Sequence, residues 1–158
     1  MYKKILSCVA LQKYIDFTPY ATLIREMIIH FSKPHNSECI VFTSKGPVAL
    51  MAEDIPVEEK LSKFCSELEK ADIRFKKIVR EGVPKDLILE IAREEKVDLI
   101  IMGSHSKQSV FDVLLGGTAA GVLKDAPCKV LMVSPSKDEV AKVKELIIPE
   151  YPFVFPYF

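Results

Sequence analysis

The chain carries no surplus of charge: 22 Lys and Arg against 22 Asp and Glu leave a formal net charge of zero. Proteins that grip nucleic-acid phosphates ordinarily show a basic excess or stripe, so that class is set aside. Long apolar runs are missing too, and none approaches the ~18 residues that would span a bilayer. The opening MYKKILSCVAL is apolar only briefly and no A-x-A-like cleavage site follows. A strand explains it better than a signal peptide, and the expected location is the cytoplasm. Cysteines stand singly at 8, 39, 65 and 128, never as C-x-x-C. Three of them fall in expected strands and Cys65 on the apolar face of an expected helix, which points to packing rather than redox work. The histidines, His30, His35 and His105, have no cysteine or carboxylate at a metal-ligand spacing, so no metal site is expected. Internal repeats and low-complexity segments are absent.

What is present fits one ordinary domain. A chain of 158 residues, 49% hydrophobic and 28% charged, is long enough to bury about 70% of its unfolded surface. Apolar and polar residues alternate between two periods. Lys3 to Ala10 reads as a strand buried on both faces. Thr18-Pro19 opens a helix to about Phe31, with Ala21, Ile24, Met27, Ile28 and Phe31 inward. Glu38 to Ser44 is the second strand, followed by a loop over 45–55 containing Gly46 and Pro47. A helix from about Asp54-Pro56 to Lys70 keeps Val57, Leu61, Phe64, Cys65 and Leu68 at helical spacing. Ile73 to Arg80 alternates imperfectly and carries lysines, as edge strands do. After Gly82-Val83-Pro84 a third helix turns Leu87, Ile88, Ile91 and Ala92 inward and leaves Arg93 to Lys96 as a solvated face.

The most informative stretch is VDLIIMGSHSKQSVFDVLLGGTAAGVLKDAPCKVLMV, residues 97–133. An acid-led strand, Asp98 to Met102, meets a glycine turn at Gly103. The pair Gly116-Gly117 follows, within a helix expected over about Val110 to Lys124, and then a last strand, Lys129 to Val133. Five strands alternating with four helices make an α/β fold with a parallel sheet. In such sheets ligands sit beyond the carboxyl ends of the strands, where backbone N–H groups at turns and helix starts point outward. Ser136 to Ile147 reads as a further short helix. The tail PEYPFVFPYF puts three prolines and five aromatics in ten residues. Its aromatic surface is expected to dock, on its own domain or across a second subunit; no basic residues accompany it, which argues against a membrane.

MYKKIL, the run EGVPKDLILEIAREEKVDLIIMGSHS and LLGGTAAGVLKDAPCKVLMV together resemble the universal stress protein family over residues 1–135, leaving 136–158 as an appended helix and tail. The resemblance implies a single Rossmann-like domain, a five-stranded parallel sheet of order 3-2-1-4-5 with helices on both faces. It also implies homodimerisation through antiparallel pairing of the last strand, Lys129, Val130, Leu131, Met132 and Val133. Members that bind ATP carry G-x-x-G, nine residues, then G-[S/T] after the fourth strand, and an aspartate just after the first strand. On this chain the first glycine is Gly103 and the third is Gly116. The second falls on Ser106, the Ser/Thr position on Gly117, and the aspartate position on Ala10.

Each departure removes something physical. Serine at 106 obstructs close phosphate approach and is strained if the backbone there takes a positive φ. Gly117 keeps an N–H but lacks the hydroxyl, which Thr118 is placed to replace. Ala10 accepts no hydrogen bond. Asp16-Phe17-Thr18 looks like the family's Asp-aromatic-Ser opening displaced by an insertion, so Asp16 is either a substitute for the missing aspartate or a loop residue near a helix start. Val41 and Phe42 abut a base or belong to the core. Met102 is a buried strand end or a ligand contact, and His105 and Lys107 are phosphate donors or surface residues. No nucleophile–base pair, paired carboxylates or Walker-type turn can be assembled, so no catalysis beyond slow phosphate hydrolysis is expected. Two readings stand. One is a stress-response regulatory domain with a degenerate nucleotide site, acting through dimerisation and an unnamed protein partner. The other is a module that holds AMP or ATP, weakly, in an altered phosphate loop.

Overall fold

A computed structural model describes residues 1–11, 19–45, 56–104, 117–134 and 136. Strands β1 (Lys4–Cys8), β2 (Glu38–Lys45), β3 (Arg74–Glu81), β4 (Leu99–Gly103) and β5 (Lys129–Val133) alternate with helices α1 (Pro19–Ser32), α2 (Val57–Lys70), α3 (Pro84–Glu94) and α4 (Gly117–Asp125). All strand pairs are parallel, in the order β3-β2-β1-β4-β5. The α/β class and the strand order agree with the sequence reading.

Strand periodicity divides the core into two layers. Ile5, Cys39, Val41, Leu99 and Ile101 face α1 and α2, where Ala21, Ile24, Ile28, Leu61, Phe64 and Leu68 pack against them. Their alternates, Leu6, Ile40, Phe42, Ile100 and Met102, face α3 and α4 and meet Ile88, Ile91, Ala92, Ala119 and Val122. Strands with both faces covered have no room for polar alternation, which is why β1 and β4 read as near-continuous apolar runs. Local signals set the helix ends. Pro84 opens α3 with Asp86 in its first turn and Arg93 in its last; Glu58 and Glu59 open α2 and Lys70 closes it. Beyond α2 and α3, Asp72 (φ 58°) and Lys96 (φ 53°) turn the chain in the left-handed region. There the Ile73 and Val97 N–H groups bond back to the Leu68 and Ala92 carbonyls at 3.0 and 3.1 Å.

Asp98 clips the amino ends of β1 and β4 together. Its carboxylate accepts the Lys3 N–H (2.9 Å) and the Lys4 N–H (3.3 Å), while its own N–H donates to the Lys4 carbonyl at 2.9 Å.

Some local expectations need adjusting. Pairing of β1 stops at Cys8 rather than Ala10, although the Val9 N–H still reaches the Phe42 carbonyl at 2.9 Å. Cys128 lies one residue before β5 and is half-buried, not inside the strand. On α3 it is Leu89, with Ile88, Ile91 and Ala92, that is buried, while Leu87 is only half-buried. The charged run after it is not wholly solvated: half-buried Glu95 pairs with Lys4 (3.5 Å) and Lys76 (2.7 Å), and Arg80 holds Glu94 at 2.9 Å. Helix α4 is described from Gly117 onward. The expected start near Val110, the aromatic tail and, apart from exposed Ser136, the helix expected over Ser136 to Ile147 lie outside the described residues.

Candidate functional site

From β1 the chain moves outward to β2 and β3, then crosses by α3 to β4 on the other side of β1. The winding reverses between β1 and β4, so the crevice such a sheet offers a ligand lies beyond their carboxyl ends. Cys8 sits beside Met102 in that register, and Gly103 beside Val133. Val9 and Ala10 therefore leave β1 next to Gly103 and Ser104 leaving β4.

Gly103 continues the Leu99–Ile101 row toward α1. Its missing side chain is replaced by an aromatic ring: a Cβ built there would lie 2.7 Å from Cδ1 of Tyr20 and 3.4 Å from Cε1 and Cγ. Carbon atoms repel well before that distance. Gly103 is not in the left-handed region, so close approach, not turn conformation, requires the glycine. Tyr20, in the first turn of α1, is 8% exposed. Its hydroxyl lies 3.4 Å from the Ser104 hydroxyl, which is in turn hydrogen-bonded to that of Ser134. The Ser104 N–H donates to the Val133 carbonyl at 3.0 Å. A chain of hydroxyls thus ties the start of α1 to the exits of β4 and β5.

The other candidates fall in different places. Ala10 is exposed at the crevice rim. Gly117 is exposed as the first residue of α4, with nothing within 4 Å of where its Cβ would be, and Thr118 beside it is half-buried. Val41 is wholly buried toward α1 and α2, whereas Met102, 4% exposed, and Phe42 face α3 and α4. Opposite faces of the sheet separate Val41 from Met102, and both serve the core. Asp16, His105, Ser106, Lys107 and Gly116 lie outside the described residues.

The crevice end of β1 offers no reactive thiol, because burial pushes the Cys8 thiol far above its ordinary range. Burial likewise pushes Cys65 up to about 12 and raises Cys39 and Cys128. Among the described residues no three His, Cys, Asp or Glu side chains gather as a metal site, and no helix is long and apolar enough to cross a membrane. Strand β5 forms one edge of the sheet, with Lys129 exposed, Val130 to Met132 half-buried and Val133 buried.

Tyr20, Ser104 and Ser134 were not among the residues singled out from the sequence. One signal was available: Tyr20 precedes Ile24 and Ile28 by four and eight positions, on the same inward stripe of α1.

Residues 1–134 match the universal stress protein family. Universal stress protein MJ0577 of Methanocaldococcus jannaschii is 38% identical over 76 residues, 48% of this chain; the chain there spans about half the length of that relative, 47%. Universal stress protein A homolog 2 of Coxiella burnetii is 33% identical over 144 residues, covering 84% of this chain and 94% of the homolog. The solved structure of MJ0577 superposes with a TM-score of 0.70 at 29% identity, over 87% of this chain and 99% of that one. The universal stress protein from Archaeoglobus fulgidus in complex with dAMP gives 0.66 at 20% identity, over 84% and 98%, a likeness of fold. By the family match, the extended Coxiella alignment and the sheet order, this chain belongs to the universal stress protein family.

Proposed function

We propose that this chain is a regulatory universal stress protein module, not an enzyme, whose crevice between β1 and β4 is an adenine-nucleotide site with a weakened hold. The family membership and the dAMP held by the Archaeoglobus relative support the ligand class. One observation carries the weakening: Ala10, exposed where β1 opens into the crevice, presents a methyl group and no acceptor. Gly117 adds to it, since the residue heading α4 offers a backbone N–H and the helix dipole but no hydroxyl. With Ser106 in place of a glycine, the phosphate end is poorer still. Each lost hydrogen bond is worth on the order of 1 kcal/mol, so the two losses at positions 10 and 117, with the obstruction at 106, move a site well away from tight binding.

In this reading the output passes through protein contacts. Edge strand β5, Lys129, Val130, Leu131, Met132 and Val133, is the surface for a second copy, since its outer hydrogen-bonding groups and half-buried apolar side chains suit strand addition. Domain limits of 1–135 for the α/β unit and 136–158 for an appended segment belong to the same proposal, as does a cytoplasmic setting without nucleic-acid or membrane partners. Calorimetric titration of the purified chain with AMP and ATP tests the ligand. Dissociation constants weaker than micromolar are expected for both, ATP the weaker; tight ATP binding would overturn the weakened site, and no heat from either would overturn the nucleotide site itself. Light scattering at tens of micromolar tests the dimer, and a monomer there would count against it.

A further inference from the structure

Nothing in the weakened site accounts for Tyr20. Its ring fills the α1 side of Gly103 so closely that no Cβ fits, and its hydroxyl joins the Ser104–Ser134 pair. The side chain is therefore held at both ends, its apolar body over the glycine and its polar tip across the exits of β4 and β5. The turn after β4 is where backbone groups in such a sheet meet a ligand's phosphates, and a glycine there ordinarily keeps space open for them. Here a side chain from α1 packs directly against that glycine.

We propose that Tyr20 is a specificity-determining residue of the crevice: its ring occupies the room over Gly103 that a longer phosphate chain would need, so the site accepts a nucleoside monophosphate and rejects the triphosphate. The inference rests on the adenine-nucleotide reading above. It requires ring volume, not the hydroxyl, to do the excluding. Tyr20→Leu keeps an apolar contact in the core but withdraws the outer half of the ring, whereas Tyr20→Phe keeps the ring and removes only the hydroxyl.

The test titrates AMP, ADP and ATP into the full-length wild type and both variants, with circular dichroism to verify folding. For the wild type, affinity is expected to fall with each added phosphate. Tyr20→Leu is expected to raise ATP affinity about tenfold while AMP affinity changes by less than about twofold, and Tyr20→Phe is expected to keep the wild-type ratio. An unchanged ATP-to-AMP ratio in folded Tyr20→Leu, or a raised one in Tyr20→Phe, would overturn the role of the ring while leaving the nucleotide site standing. Wild-type affinity that is equal or rising from AMP to ATP would overturn it without any variant. Absence of binding by all three proteins would remove the nucleotide site and this inference together.

Discussion

Restoring the two contacts missing from the described part of the crevice is the most direct trial of the weakened-site reading. Gly117 is suited to it. It is exposed, heads α4, lies outside the left-handed region, and has open space where a side chain would enter. Gly117→Ser therefore introduces a hydroxyl without strain, and at a helix start serine is as good as glycine or better by a few tenths of a kcal/mol. A hydroxyl bonded to a charged phosphate oxygen is worth about 1.5 kcal/mol, close to tenfold in affinity. Ala10 is exposed too. Ala10→Asp adds an acceptor for the base or ribose worth about 1 kcal/mol, roughly fivefold. In a Tyr20→Leu background, where the ring no longer stands against the triphosphate, they should together tighten ATP binding by about 50-fold if the contributions add. AMP should respond mainly to Ala10→Asp, because it lacks the distal phosphates that position 117 serves. Calorimetry measures both, and thermal melts should barely move because neither position is buried. A correctly folded double variant with unchanged affinity for both nucleotides would refute the claim that these losses weaken the site.

Other expectations follow from the packing. Gly103→Ala should destabilise the fold by about 1–3 kcal/mol, since a Cβ 2.7 Å from Tyr20 forces the ring to move; chemical denaturation measures this, and Tyr20→Leu in the same chain should relieve it. Phe64→Ala should cost about 3–5 kcal/mol in the same assay, because that ring is fully buried between α2 and the sheet. Asp98→Ala removes the acceptor of the exposed Lys3 and half-buried Lys4 N–H groups, which water partly replaces, and should cost about 0.5–1.5 kcal/mol. Arg80 and Lys76 hold the Glu94 and Glu95 carboxyls below the ordinary glutamate range. Their contribution is present above that range and is lost as pH falls through the lowered values, so melting temperature should decline modestly toward pH 3, and less so in high salt. Thiol reagents should label half-buried Cys128 before Cys8, Cys39 or Cys65, whose burial keeps them protonated and shielded.

The α/β class was legible because its signals are local. Strand β5 is found at its expected residues, Lys129 to Val133, and Pro84 starts α3 where proline is best tolerated. Strand ends were less legible. Whether β1 ends at Cys8 or Ala10 depends on where β2 and β4 stop pairing, which no residue of β1 records. For the crevice, the resemblance to the family placed the glycines and the missing aspartate on this chain, and Gly103 could be marked as important. The reason for Gly103 could not be found that way: its partner Tyr20 is far away in sequence and reaches it only once α1 has packed on β4. The Tyr20–Ser104–Ser134 chain is invisible for the same reason, since hydroxyls from three elements meet only in three dimensions. Glu95 looked solvated because helical periodicity describes one helix, not the lysines that β1 and β3 bring alongside it.

Placing the first strand in the middle of the sheet has a consequence during synthesis. Strands β1, β2 and β3 emerge in succession and can pair as they appear, but the other side of β1 waits for β4, which starts about 90 residues later. At translation rates of about 5–20 residues per second, that side stays open for roughly 5–20 s. During that interval a row of unpaired amide and carbonyl groups beside Ile5 and Leu6 is available to any neighbouring nascent chain. Chaperone capture in this window, ending when Leu99 to Gly103 clears the ribosome, is thus set by strand order itself.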